Sequence, residues 1–243
     1  MASESRRLLY GKLEDGFTIV FMVFLPVLVS SIMIHVAEMY RFSGLKDVLA
    51  ASRVTPWGIV TSLFVHENEA HLLNNMIALF TFLMLLVTSN AFLSKEETKR
   101  RILNSLVVIF LFPVVLNLSL ILIFPEVRMI GSSGIVYALE GRCLGLSLLN
   151  ALELRKIRNQ IKNERKVLLA SSLSNLTVFV GFLLNLALFP EVFLASGPQA
   201  TATFHSLAFF GGFLTVLVYT VWQRLKRRYA RGSRSTRQRF SQS

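Results

Sequence analysis

Six apolar blocks, all but one free of Lys, Arg, Asp and Glu, constrain this chain more than any other feature of it. They run over residues 17–36, 71–88, 102–124, about 131–152, 167–189 and 201–222, each bounded by charged or turn-forming residues. A helix that crosses the roughly 30 Å hydrocarbon core of a bilayer needs about 20 mostly apolar residues, so each block is long enough to span. With 53% hydrophobic residues and a mean hydropathy of +0.56, the chain is far more apolar than a soluble domain needs to be. The expected fold class is an all-α membrane protein, a bundle of six transmembrane helices. Only the fourth block holds strong charges, Glu140 and Arg142.

The formal net charge of +12 would suggest nucleic acid as a partner for a soluble protein, so the placement of the basic residues decides their meaning. They alternate by side. Arg6, Arg7 and Lys12 precede the first block, and Lys95, Lys99, Arg100 and Arg101 follow the second. Arg155, Lys156, Arg158, Lys162, Arg165 and Lys166 follow the fourth; Arg224, Lys226, Arg227, Arg228, Arg231, Arg234, Arg237 and Arg239 follow the sixth. The opposite loops hold only Arg41, Lys46, Arg53 and Arg128. The positive-inside rule then predicts that both termini are cytoplasmic. Topology and attraction to anionic lipid heads account for the basic face without any nucleic acid.

This organisation predicts a cytoplasmic N-terminal segment over 1–16, a membrane domain over 17–223 and a basic cytoplasmic tail over 224–243, disordered beyond its first turn or two. The first block lacks a small-residue cleavage site and reads as a retained signal anchor. The first outer loop, 37–70, is too long for an ordinary helix connection and carries Trp57 and Phe64, so it is expected to fold onto the membrane surface. The lone Cys143 excludes an intrachain disulfide and metal sites built on several cysteines. The expected location is a cell membrane.

Ionisable and amide groups are costly in hydrocarbon, which makes each one there a functional candidate. The second, fourth and sixth blocks run in the same direction, so their beginnings share one layer of the bilayer. His71 and Asn75 open the second block, Gly131-Ser132-Ser133-Gly134 the fourth, and His205 lies early in the sixth. Four residues separate His71 from Asn75, placing them on one helix face, where an imidazole and an amide can both donate to a developing oxyanion. The small residues around Ser133 leave room for an acyl group, and a serine hydroxyl needs a neighbouring base, for which His205 is the only histidine on the last three blocks. Taken singly, a GxSG string serves helix packing, and each histidine serves as a hydrogen-bonding strut. Their common depth on three helices favours an active site.

These residues resemble the rhomboid family of intramembrane serine proteases over about 55–212. The stretch Pro56-Trp57-Gly58-Ile59-Val60-Thr61-Ser62-Leu63-Phe64-Val65-His66, followed by His71-Leu72-Leu73-Asn74-Asn75, meets the family's HxxxxHxxxN spacing with His66, His71 and Asn75. Gly131, Ser133 and Gly134 meet its GxSG, and Tyr137 its tyrosine four residues after the serine. Gly212 keeps a glycine of the family's sixth helix, whereas Phe204, Ala208 and Asn74 depart from its pattern.

The resemblance implies a six-helix rhomboid-like bundle in which Ser133 is the nucleophile and His205 the general base and acid. Tyr137 packs on the His205 ring; His71 and Asn75, with the Ser133 N–H, form the oxyanion hole; His66 is a structural hydrogen-bonder. It implies no third acidic residue, in keeping with the absence of Asp and Glu at the expected depth of Ser133, and no metal or organic cofactor. The implied substrates are transmembrane proteins, cut near the outer leaflet where their helix unwinds. Pro190, Gly197 and Pro198, in the loop before the sixth helix, suggest a mobile cap over the site. Two other classes stay open at this point: a catalytically inactive rhomboid-like factor that binds membrane proteins, and a small transporter, for which Glu140 and Arg142 give the only support.

Overall fold

The structure, a computed structural model, describes residues 2–40, 42–124, 126–157, 165–188 and 199–240. Its helices, in chain order, are α1 (Ala2–Tyr40), α2 (Leu45–Leu49), α3 (Gly58–Thr61), α4 (Glu69–Ser89), α5 (Lys95–Ile123), α6 (Ser133–Ile157), α7 (Arg165–Leu188) and α8 (Gln199–Phe240), with a 3-10 turn at Ser62–Phe64. No strand occurs among the described residues; a single antiparallel bridge joins Ala51 to Met129. Six helices are long and apolar enough to cross a membrane, over Leu13–Tyr40, Glu69–Ser89, Lys95–Ile123, Ser133–Glu153, Val167–Leu184 and Thr203–Gln223. The chain is a multi-pass integral membrane protein with the expected six-helix bundle.

The helix starts follow local capping chemistry. Asn68 adopts an extended conformation and its Oδ1 accepts the N–H of His71 at 2.8 Å, while Ser94 accepts the N–H of Glu97 at 3.3 Å. Each cap satisfies a donor that the first helical turn leaves open. Two ends extend past the expected blocks: α1 starts at Ala2 inside the segment assigned to 1–16, and α8 continues to Phe240 through the tail expected to be disordered. Extending a helix that is already nucleated costs little, and Leu, Lys, Arg, Gln and Ala are good helix formers.

α6 is the central helix. Its span is 72% buried inside the protein, against 22% to 39% for the other five, and it packs on α4, α5, α7 and α8. This burial explains why the least apolar block holds charge: Arg142 never meets lipid but donates to Ser105 on α5 at 2.6 Å and to Thr215 on α8 at 2.9 Å. The tightest packing is between α6 and α8. A Cβ on Gly141 would run into the Phe209 carbonyl, and one on Gly212 into the Ala138 carbonyl, so two glycines let the backbones touch.

Arg101, expected among the loop charges, is instead buried at one end of the bundle. It donates to Asn150 at 2.7 Å, to Asn90 at 3.4 Å and to Glu153 at 2.9 Å, tying α5 to α6. Asn150 in turn reaches the Ser89 carbonyl and Asn175, so α4 and α7 join the same network. The long first loop folds through α2, α3 and the 3-10 turn, and Asn117 on α5 anchors it by donating to the Ile59 carbonyl and to Ser62, both at 3.1 Å. Pro190, Gly197 and Pro198 lie outside the described residues, as do Arg158 and Lys162.

Candidate active site

The segment that leads into α6 positions the site. The Gly131 N–H donates to the Ser62 carbonyl at 2.9 Å, and Met129 exchanges backbone hydrogen bonds of 3.0 Å with Ala51 in both directions. Gly131 adopts φ +108°, a region open to glycine, and this sharp turn sets Ser133 as the first residue of α6. The Ser132 carbonyl accepts from Ile135 at 2.9 Å and Val136 at 3.1 Å, whereas N–H groups of the first turn have no acceptor within the helix. A hydroxyl and open N–H groups therefore coincide at one helix end, buried in the bundle.

Ser133 Oγ lies 3.0 Å from His205 Nε2, a hydrogen bond between α6 and α8. One helical turn after Ser133, Tyr137 stacks its ring on His205 with centroids 4.4 Å apart and planes inclined by 32°. Gly134 leaves space on the same turn for Phe204, whose Cζ would be 2.5 Å from a Cβ there. Phe204, a departure from the family pattern, thereby fills the volume beside Ser133.

His71 approaches from α4. A Cβ on Gly131 would lie 3.1 Å from His71 Nε2 and 3.7 Å from Ser133 Oγ, so the missing side chain leaves a small space between the imidazole and the hydroxyl. Asn75, one turn further along α4, is buried and its Nδ2 has no partner among the described residues. A buried amide with an unused donor is a costly arrangement unless something else takes the hydrogen bond. His66 sits behind this pair: its Nε2 is 2.9 Å from Ser132 Oγ, and its ring meets that of His71 edge-on at 5.3 Å. Burial, together with the charge of His71, holds the His66 imidazole down from 6.5 to about 4. It is neutral at physiological pH, and its contact with Ser132 links the loop to the segment that opens α6.

All eight residues singled out in the sequence thus fall in one neighbourhood. A cavity of about 490 Å³ opens above them, walled by His71, Ser133, Phe204, His205 and residues 128–130, and by Glu38, Lys46, Asp47 and Glu67. Asn75 is not among the wall residues. Glu38, Asp47 and Glu67, from the end of α1 and the first loop, thus place three carboxylates on the wall of the same cavity as Ser133. Ser132 and Phe204 also escaped functional assignment; the adjacency of Ser132 to Ser133 was the one available signal. A larger apolar groove along α1, lined by Leu13, Phe17, Phe21 and Leu25 among others, lies in the first span and includes none of these site residues.

A family model for the rhomboid domain matches residues 53–224, which includes His66, His71, Asn75, Gly131, Ser133, Gly134, Tyr137 and His205. The chain belongs to the rhomboid family. Its members are in general intramembrane serine proteases acting on transmembrane substrates, and the rhomboid match runs from α3, through the loop that carries His66, into α8 as far as residue 224. No individually curated protein matches the chain.

Proposed function

We propose that this rhomboid is an intramembrane serine endopeptidase that hydrolyses peptide bonds of transmembrane proteins through Ser133 and His205. The observation that carries the reading is the 3.0 Å contact between Ser133 Oγ and His205 Nε2, both of which line one cavity. In this reaction Ser133 Oγ attacks the scissile carbonyl carbon while its proton passes to His205 Nε2. The carbonyl oxygen, now an anion, accepts hydrogen bonds from His71, Asn75 and the Ser133 N–H. His205 returns the proton to the leaving amine, and water, deprotonated by the same imidazole, releases the acyl group from Ser133.

Tyr137 limits the tilt of the His205 ring, and Gly131 and Gly134 keep the space around Ser133 open. Water has to reach the serine, and a cavity whose wall bears charged groups supplies it from the aqueous side. The alternation of basic residues places that side outside the cytoplasm, with both termini inside, in a cell membrane whose anionic lipid heads meet the basic face. The substrate helix must open locally, because helical hydrogen bonding shields its carbonyls, so helix-destabilising residues mark good substrates.

The test is cleavage of a single-span substrate in liposomes by the wild type, Ser133→Ala and His205→Ala at matched folding. Loss of cleavage in both variants is expected. Cleavage by Ser133→Ala would overturn the nucleophile, and a folded wild type that binds but never cuts several substrates would favour the inactive binding factor.

A further inference from the structure

The cavity above Ser133 has a charged wall that the chemistry of peptide hydrolysis does not use. Five ionisable side chains other than histidine face it: Glu38, Lys46, Asp47, Glu67 and Arg128. Four of them are engaged within the protein. Arg128 pairs with Asp47, and the Glu38 carboxylate accepts the N–H groups of Lys46 at 3.0 Å and Gly44 at 3.3 Å. The Lys46 ammonium donates to the backbone carbonyl of Glu67 at 2.7 Å.

The fifth, Glu67, is exposed, and its carboxylate has no hydrogen-bond or ion-pair partner among the described residues. Its place is fixed all the same. It follows the buried His66 directly, and its N–H points at His71 Nδ1 over 3.5 Å, so the residue is held against the imidazole next to Ser133. An unpaired carboxylate on the wall of a partly enclosed cavity, where carboxylates outnumber cations, favours a cation and repels an anion.

Resting on the protease reading above, we infer that Glu67 is a specificity-determining residue that selects substrates with a lysine or arginine close to the scissile bond. A substrate segment that unwinds to reach Ser133 must thread this cavity, and its side chains then pass Glu67. A basic side chain completes the ion pair that the protein leaves open; an acidic one meets Glu67, Glu38 and Asp47. The effect is on binding of the segment, so it is felt in KM and in kcat/KM, and it depends on substrate charge. A role exerted only through His71 would instead lower kcat alike for all substrates.

The experiment uses the full chain in liposomes with a substrate set that carries Lys, Gln or Glu at each position flanking one cleavage site. Wild type, Glu67→Gln and Glu67→Lys are compared by the ratio of kcat/KM for Lys and Glu substrates within each variant, with Ser133→Ala as the background. Wild type is expected to prefer Lys to Glu about threefold to tenfold at one or two adjacent positions, the scale of a solvent-accessible ion pair. Glu67→Gln should flatten this ratio, and Glu67→Lys should invert it. An unchanged ratio in Glu67→Lys, or an equal fall in kcat for every substrate, would overturn the inference while leaving the protease reading in place. Absence of Ser133-dependent cleavage of any substrate would overturn both.

Discussion

The hydrogen on the Cα of Gly131 is all that separates this residue from His71: a Cβ there would stand 2.9 Å from His71 Cε1 and 3.1 Å from Nε2. The φ of +108° adds strain for any L side chain, of about 1–3 kcal/mol. Gly131→Ala should therefore push His71 away from Ser133 and fill the space proposed for the oxyanion. The expected outcome is at least a tenfold loss of kcat with the helical content intact by circular dichroism. Gly11→Ala, where a Cβ meets nothing within 4 Å, is the control and should leave cleavage unchanged.

His71 and Asn75 are proposed to act on the transition state, in which the carbonyl oxygen gains its charge, more than on the bound substrate. His71→Ala and Asn75→Ala should each lower kcat by about 100-fold or more with little change in KM, the usual scale for losing an oxyanion donor. Because both serve one oxygen, the double variant should fall well short of the product of the single losses. Steady-state cleavage of one substrate by the four proteins measures this directly.

How much of this was legible in the sequence depended on the kind of signal. The six spans follow from apolar runs of about 20 residues, which satisfy their backbone in lipid as helices, whereas barrel strands alternate apolar and polar residues over about 10. The meeting of His71, Ser133 and His205 follows from the common direction of alternate spans. What the runs do not encode is side-chain direction in irregular or interior segments. The first loop has no periodicity, so Glu67 and Asp47 on the cavity wall could not be placed there in advance. Arg101 carries the same charge as the loop residues beside it, and Arg142 stands in an apolar block, yet Asn150, Glu153, Ser105 and Thr215 receive them in the interior. Those partners lie 37 to 73 residues away along the chain, beyond any local pattern.

α8 carries His205, and its distance from α6 rests on Gly212 against the Ala138 carbonyl and Gly141 against the Phe209 carbonyl. Both contacts are backbone to glycine, so an added side chain has nowhere to go but to part the helices. Gly212→Leu should destabilise the bundle by overpacking, by roughly 1–3 kcal/mol, and lengthen the Ser133 to His205 contact. A fall in the midpoint of thermal unfolding in detergent, together with a loss of cleavage, is expected. Gly181→Leu, at a position where a Cβ meets nothing within 4 Å, should change neither.

His66 gives the fold a pH dependence of defined sign. Its imidazole is held down to about 4 by burial and by the charges of His71 and His35, against 6.5 in an unfolded chain. Between these values the unfolded state binds a proton that the folded state refuses, so stability rises with pH across this window. The contribution is complete above pH 6.5 and is lost as pH falls from 6.5 toward 4, amounting to at most about 3 kcal/mol. The hydrogen bond between His66 Nε2 and Ser132 makes the same residue a tie between the first loop and the segment that opens α6. His66→Asn should therefore lower the unfolding midpoint at pH 7.5 and flatten its decline between pH 6.5 and 4 relative to wild type. Thermal unfolding of both proteins in detergent across that range tests the assignment; parallel curves would place the acid sensitivity in other groups.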